Sequence, residues 1–257
     1  MLNPSVPKPS LPNPSVHIIG TGLIGTSLAL ALVNKGCTVT GEDLNPEHAQ
    51  IARNIGLNIP EVASEPEVVF VCVPPAQAAE VIAQASRRFP GATISDVTSV
   101  KGAFIRAAIE LGADTTRMVS AHPKAGREVS GPRSARADLF EDRSWVITPL
   151  RDTDGARLEQ MRALVELLDG TLVEMAAEDH DRVVALVSHT PQILASLLAG
   201  QLVDRDPREL AISGAALTDM IRIAGSDPQL WQEILLANSG EVVQVIDSVL
   251  ESLVDLR

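Results

Sequence analysis

The sequence is poor in aromatic side chains, with four Phe, two Trp and no Tyr. Base-stacking platforms and aromatic sugar-binding grooves therefore lack their building blocks. Positive charge is also short: 21 Lys and Arg face 33 Asp and Glu, leaving a net charge of −12. Phosphate neutralisation needs clustered cations, so no nucleic-acid partner is expected. Cysteine is scarce. Cys37 and Cys72 sit in apolar runs without CxxC spacing, which suggests neither a zinc site nor a disulfide scaffold. Both read as small core residues of a reduced, cytoplasmic protein. The acidic run EDHD at 178–181 has no second ligand cluster, so it reads as acids at a helix N-terminus and no metal is expected. The opening MLNPSVPKPSLPNPS lacks an apolar h-region. Residues 1–15 are therefore expected to be a flexible Pro-rich tail and not a signal peptide.

Formal charge is missing altogether from Val183 to Val203, a run of 21 residues. That is long enough to span a bilayer. Yet the run holds Ser188, His189, Thr190, Gln192, Ser196 and Gln201, and acidic rather than basic flanks. It is expected to be a fully buried helix of a soluble protein, kinked at Pro191, with no membrane partner.

What is present is a strand–helix alternation. Apolar runs at 16–20, 37–43, 67–74, 92–97, 117–122, 144–149 and 171–175 are separated by helical stretches. This spacing predicts an α/β domain with a Rossmann-type, doubly wound parallel sheet over residues 16–176. After Met175 the strand signal stops, and helices are expected at 178–203, 207–223, 228–237 and 240–255. Residues 177–257 are thus expected to form an all-helical domain. It holds more apolar helix than about 80 residues can bury alone, which predicts a homodimer.

The first strand runs into Gly20-Thr-Gly22-Leu23-Ile24-Gly25 and directly into a helix. Glycines there allow a tight turn and close approach of a pyrophosphate, and the helix N-terminus supplies free N–H groups. Leu23 and Ile24 belong to that turn, and Val73 and Pro74 of VCVPP, at the end of the third strand, are placed beside the same cofactor. The second strand ends at Glu42-Asp43. A carboxylate there accepts hydrogen bonds from a ribose diol and repels a 2′-phosphate, so NAD is expected over NADP, with Asp43 preferred to Glu42.

Other strand ends carry DVTSVK (Ser99, Lys101) and HPKAGREVSG (His122, Lys124, Arg127), and the helices add SHTPQ (His189, Gln192) and TDMIRIAGSDPQLW (Asp219, Arg222, Trp231). With GTGLIG, and in this order, these motifs resemble the prephenate/arogenate dehydrogenase family of tyrosine biosynthesis. The resemblance implies a dinucleotide domain, a dimerising helical domain and an active site between them; the length leaves no room for a fused chorismate mutase domain. It implies that His122 is the catalytic histidine, with Ser99 beside it and His189 as a second active-site histidine. Arg222 matches the arginine that holds the ring carboxylate, and Asp219 and Trp231 match positions that shape the pocket. Gln192 stands where many relatives have histidine, and Arg127 where they have threonine; both positions are expected to contact the substrate side chain.

Imidazole suits removal of a hydroxyl proton at pH 7, and a guanidinium can hold a carboxylate with two parallel hydrogen bonds. The expected reaction is NAD-dependent oxidative decarboxylation of prephenate to 4-hydroxyphenylpyruvate. Arogenate, which yields tyrosine directly, is the alternative; Arg127 facing its ammonium disfavours it. A catalytically silent NAD-binding sensor is the alternative of another class, and the joint presence of His122, Ser99, His189 and Arg222 argues against it.

Overall fold

In the computed structural model, residues 13–55, 65–126 and 129–257 are described. Most of the Pro-rich tail and Arg127 lie outside them. The first half alternates β1 (Ser15–Ile19), α1 (Leu23–Asn34), β2 (Thr38–Glu42), α2 (Pro46–Asn54), β3 (Val68–Val71), α3 (Pro75–Arg88), β4 (Thr93–Asp96) and α4 (Gly102–Glu110). Four parallel strands pair in the order β2-β1-β3-β4. β3 is buried on both faces, as its unbroken apolar run demands. β5 (Val119–Pro123) joins β4 by a parallel bridge between Ile94 and Met118.

The sheet is not parallel throughout. β6 (Ser144–Pro149) runs antiparallel to β5, and β7 (Thr171–Glu174), after α5 (Gly155–Leu167), runs parallel to β6. Among the described residues, only a short 3-10 turn at Pro132–Ser134 lies between β5 and β6. A parallel return usually carries a covering α-helix, and none lies in this connection among the described residues. Helices cover both faces. One core gathers Leu28, Leu32, Phe70, Phe140, Trp145 and Met161, and the other gathers Val69, Ile82, Ile94, Phe104 and Met118.

The second half is helical: α6 (Ala177–Val184), α7 (Thr190–Gly200), α8 (Pro207–Leu210), α9 (Ala215–Arg222), α10 (Pro228–Ala237) and α11 (Ser239–Asp255). Two expectations change here. The helix expected over 207–223 is broken before Gly214, which caps α9 in an extended conformation. The helix expected to be fully buried is not: Val183, Leu186, Val187 and Leu197 are exposed in the single chain. Its buried stripe holds Asp181, Val184, Ala185, His189, Gln192 and Ala195, so one side packs on protein and the other, equally apolar, has no cover within one chain. Ala177–Gly200 is long and apolar enough to cross a membrane by length and composition, but its buried stripe carries Asp181, His189 and Gln192, and Asp181 is bonded to Lys101 and Gly102 of the first domain. The irregularity precedes Pro191. That residue has no N–H for the Val187 carbonyl, and a π-turn at Ala185–His189 accommodates the loss.

Candidate active site

The glycine turn at the end of β1 is shaped by contact. Gly20 has φ +97°, and a Cβ on it would stand 2.6 Å from the Cys72 carbonyl oxygen; a Cβ on Gly25 would stand 1.9 Å from the Gly20 carbonyl oxygen. Gly22 faces open space. The turn is therefore closed against the sheet and open outward, as close approach of a phosphate requires. α1 begins at Leu23 with no side-chain cap and no acid in its first turn, so its N–H groups and positive dipole end remain available beside Leu23 and Ile24. Val73 packs against Gly20, and Pro74 caps α3 from an exposed position.

Glu42 and Asp43 go to different tasks. Glu42 pairs with Arg88 and stands 3.8 Å from His17; these contacts, His17 foremost, hold its carboxyl down at about 2. Asp43 turns to the glycine turn and accepts from the Thr21 backbone N–H at 2.6 Å and from the Asn45 N–H at 2.8 Å. Asp43, not Glu42, is the acid that meets the glycine turn.

At the carboxyl ends of β4 and β5 lies a fully buried lysine. The Lys101 ammonium donates to Asp96 at 2.6 Å and to the Ala121 carbonyl, and Asp96 also accepts from Thr98 and Ser120. Burial pushes Lys101 down from its usual pKa, and Asp96 opposes the shift. An ion pair so deep needs its remaining bonds satisfied, and here they are, so the pair braces the two strand ends. Ser99 is half-buried beside it and makes no hydrogen bond among the described residues.

His122, on β5, bonds through Nδ1 to His180 Nε2 at 2.8 Å. His180 Nδ1 in turn bonds to Asp181 at 2.8 Å. Asp181 also accepts from the backbone N–H groups of Lys101 and Gly102 at 2.8 and 2.7 Å, at the start of α4. Burial alone would raise the Asp181 pKa, but His180 and these two N–H groups hold it below the ordinary carboxylate value. The protons follow. An ionised Asp181 takes the His180 Nδ1 proton, His180 Nε2 accepts from His122 Nδ1, and His122 Nε2 carries a bare lone pair. Burial, then Lys124, Lys101 and the neighbouring histidines, push His122 well below its ordinary pKa and keep it neutral.

On the helical side, His189 and Trp231 meet edge to face at 5.9 Å. Gln192 is buried, with its amide 3.4 Å from Ser196. Asp219 and Arg222 lie on exposed turns of α9, which packs against α7. The structure thus brings His122, His189 and Trp231 to the seam between the domains, and does not show Asp219 and Arg222 joining them there. Sequence reasoning named Lys124 without giving it a role, and missed His180, Asp181 and Asn238. Within EDHD, Glu178 and Asp179 do occupy the first turn of α6. His180 and Asp181 instead point inward, on the same stripe as Val184 and Ala185. Polar residues at apolar-stripe positions were the available signal.

Comparisons with known proteins agree on one family. The description "prephenate dehydrogenase, nucleotide-binding domain" matches residues 28–174, and "prephenate dehydrogenase, dimerization domain" matches residues 176–257. The chain is 36% identical over 232 residues to the probable prephenate dehydrogenase NovF of Streptomyces niveus, covering 90% of this chain and 64% of that protein. It is 32% identical over 209 residues to the cyclohexadienyl dehydrogenase of Zymomonas mobilis, covering 79% and 71%. Among solved structures, prephenate dehydrogenase from A. aeolicus, in complex with hydroxyphenyl propionate and NAD+, superposes with a TM-score of 0.86 at 31% identity, covering 96% of this chain and 90% of that one. The chain spans just under two thirds of the NovF relative's length.

Proposed function

The chain belongs to the prephenate dehydrogenase family, and from that premise we propose that it oxidatively decarboxylates prephenate to 4-hydroxyphenylpyruvate with NAD. The observation that carries the reading is the Asp181–His180–His122 chain, which presents a bare imidazole nitrogen at the seam between the two domains. Bound NAD supplies the hydride acceptor. The glycine turn, the uncapped start of α1 and Asp43 hold its pyrophosphate and adenosine ribose, and Asp43 repels a 2′-phosphate.

His122 Nε2 takes the proton of the ring hydroxyl as hydride leaves the same carbon. The bond from ring to carboxylate then breaks, CO2 departs, and its electron pair aromatises the ring. The proton returns to the phenolate oxygen. Prephenate and NAD+ thus become 4-hydroxyphenylpyruvate, CO2 and NADH. While His122 is charged, its Nδ1 proton stays bonded to His180, and Asp181 stabilises the cation through that ring. Ser99 lies beside this site, and Arg222 holds the ring carboxylate with Asp219, Gln192 and Trp231 shaping the pocket.

Lys124 favours prephenate over arogenate. It follows Pro123 at the end of β5, is half-buried, and makes no ion pair among the described residues. It lies near enough to push down the pKa of both His122 and His189. A cation there welcomes a dianion and repels the ammonium of arogenate. The exposed Leu186, Leu197, Leu236 and Leu250 support a homodimer through the matched dimerisation domain. Both cysteines are free, consistent with a reduced cytoplasmic location.

The test is NADH absorbance with prephenate, arogenate and a simple 2-hydroxy acid in parallel, each with NAD and with NADP. Turnover of prephenate with NAD is expected; faster turnover of arogenate overturns the substrate assignment, and no turnover of either overturns the activity.

A further inference from the structure

Two histidines lie at the seam, and their hydrogen bonds give them opposite characters. Asn238, the last residue before α11, is buried. Its amide nitrogen bonds to the Asp181 backbone carbonyl at 2.8 Å and to His189 Nδ1 at 3.2 Å. The Asp181 carbonyl can only accept, so it fixes which end of the Asn238 amide faces these partners. The second amide N–H then points at His189 Nδ1, which must be the accepting nitrogen. A neutral imidazole that accepts at Nδ1 carries its proton on Nε2. That Nε2 is buried and has no partner among the described residues. A buried N–H donor without an acceptor costs free energy, which makes it the mark of a site awaiting a ligand oxygen.

We propose that Asn238 is a positioning residue that holds His189 as the neutral Nε2–H tautomer, so that His189 donates a hydrogen bond to a substrate oxygen and takes no proton itself. The division of labour follows from one residue. Through its side chain Asp181 leaves His122 Nε2 bare, and through its backbone carbonyl and Asn238 it leaves His189 Nε2 protonated. Burial and Lys124 push His189 down to about 4, against the opposing pull of Asp181. Lys124, His180, Asp181, Asn238 and Trp231 are the charged and polar groups around it. The role of donor to substrate rests on the proposed reaction; the tautomer does not.

Nitrogen-15 NMR of the full, unliganded chain with labelled histidine separates the two, with the His189 signals assigned by their loss in His189→Gln. The Nε2–H pattern is expected for His189, unchanged from pH 6 to 9. An Nδ1–H pattern, a mixture, or protonation above pH 6 overturns the proposal without touching the assigned activity. In Asn238→Ala, checked for folding by its melting temperature, the single-tautomer pattern should be lost. The KM for prephenate should rise about 10-fold, the range expected for one hydrogen bond to a charged group, with the KM for NAD unchanged. An unchanged prephenate KM in a folded variant that has lost the tautomer pattern overturns the role as donor. Should the native chain fail to turn over prephenate, the reaction is wrong and the NMR result still decides what Asn238 does.

Discussion

The helix after the glycine turn and the helix that ends the chain are both apolar, yet they meet different surroundings. α1 buries Leu28, Ala29, Ala31 and Leu32 against the sheet. α11, with 17 residues, buries only Val242, and Leu250, Leu253 and Val254 stay exposed. The nucleotide-binding domain completes two cores from its own strands and helices. The helical domain covers one side of α6 and α7 and leaves the other bare. An apolar surface of that kind marks an interface, so the first domain is finished by its own chain and the second leaves a face that a second copy is expected to cover. The His122–His180 contact lies where the finished domain meets the unfinished one.

Removing the base at that meeting point should have the largest effect. His122→Asn should lower kcat by roughly 10²–10⁴ with little change in KM, because proton transfer is made only in the transition state. Steady-state kinetics at saturating NAD measure this, and a near-native kcat would remove His122 from its role. Asp181→Asn comes next. An amide can present N–H to His180 Nδ1 and reverse the proton order along the chain, so that His122 Nε2 carries hydrogen; kcat should fall about 10²-fold, the low end of what a positioned proton acceptor contributes. A change in prephenate KM alone would show that Asp181 merely joins the domains.

Arg222→Ala should chiefly raise the KM for prephenate, by about 2 kcal/mol, for loss of a charged contact. Equal loss of kcat and kcat/KM would place its contact in the transition state instead. Stability should also fall in acid. His122, His180 and His189 all have pKa values below the ordinary one in the folded chain, burial foremost. The unfolded chain therefore binds more protons below about pH 6.5, and stability is lost as pH drops through that value. For His189 alone, at about 4, the loss by pH 5 should be about 2 kcal/mol. Denaturant titration of His189→Gln at pH 5 and 7.5 checks it; an unreduced pH slope would show that His189 is not buried neutral.

The smallest effect bears on the domain contrast itself. Leu186→Asp and Leu250→Asp should each weaken self-association, by about 1.5 kcal/mol of lost apolar burial, and leave nucleotide binding intact. Light scattering of the native chain should show a dimer at micromolar concentration. A monomer there would end the contrast between a finished and an unfinished domain.

Much of this was legible in the residues. The alternation of apolar runs located the seven strands to within a few positions, and SWVITP at Ser144–Pro149 coincides with β6. Helix starts at Asn45-Pro46 and Asp227-Pro228 were equally readable, because Asn45 and Asp227 accept from the N–H two residues on and proline suits the first turn. The glycine turn, His122 and His189 were visible as motifs. The direction of β6 was not, since an apolar run reads the same for either direction and the 20 residues between Pro123 and Ser144 are long enough for both. The break before Gly214 was hidden by helix-compatible residues on either side.

By itself, then, the sequence determined the order of elements, the open turn for a dinucleotide and the two histidines, because these follow from local propensity, spacing and residue chemistry. Only the tertiary structure decided which acid turns to the glycine turn, since Glu42 pairs with Arg88 and Asp43 accepts from the Thr21 N–H. It also decided which nitrogen of each histidine carries the proton. That depends on contacts between residues far apart in the chain: His122 and His180 are 58 residues apart, and Asn238 is 57 from Asp181 and 49 from His189, so the direction of these hydrogen bonds exists only once the chain has folded.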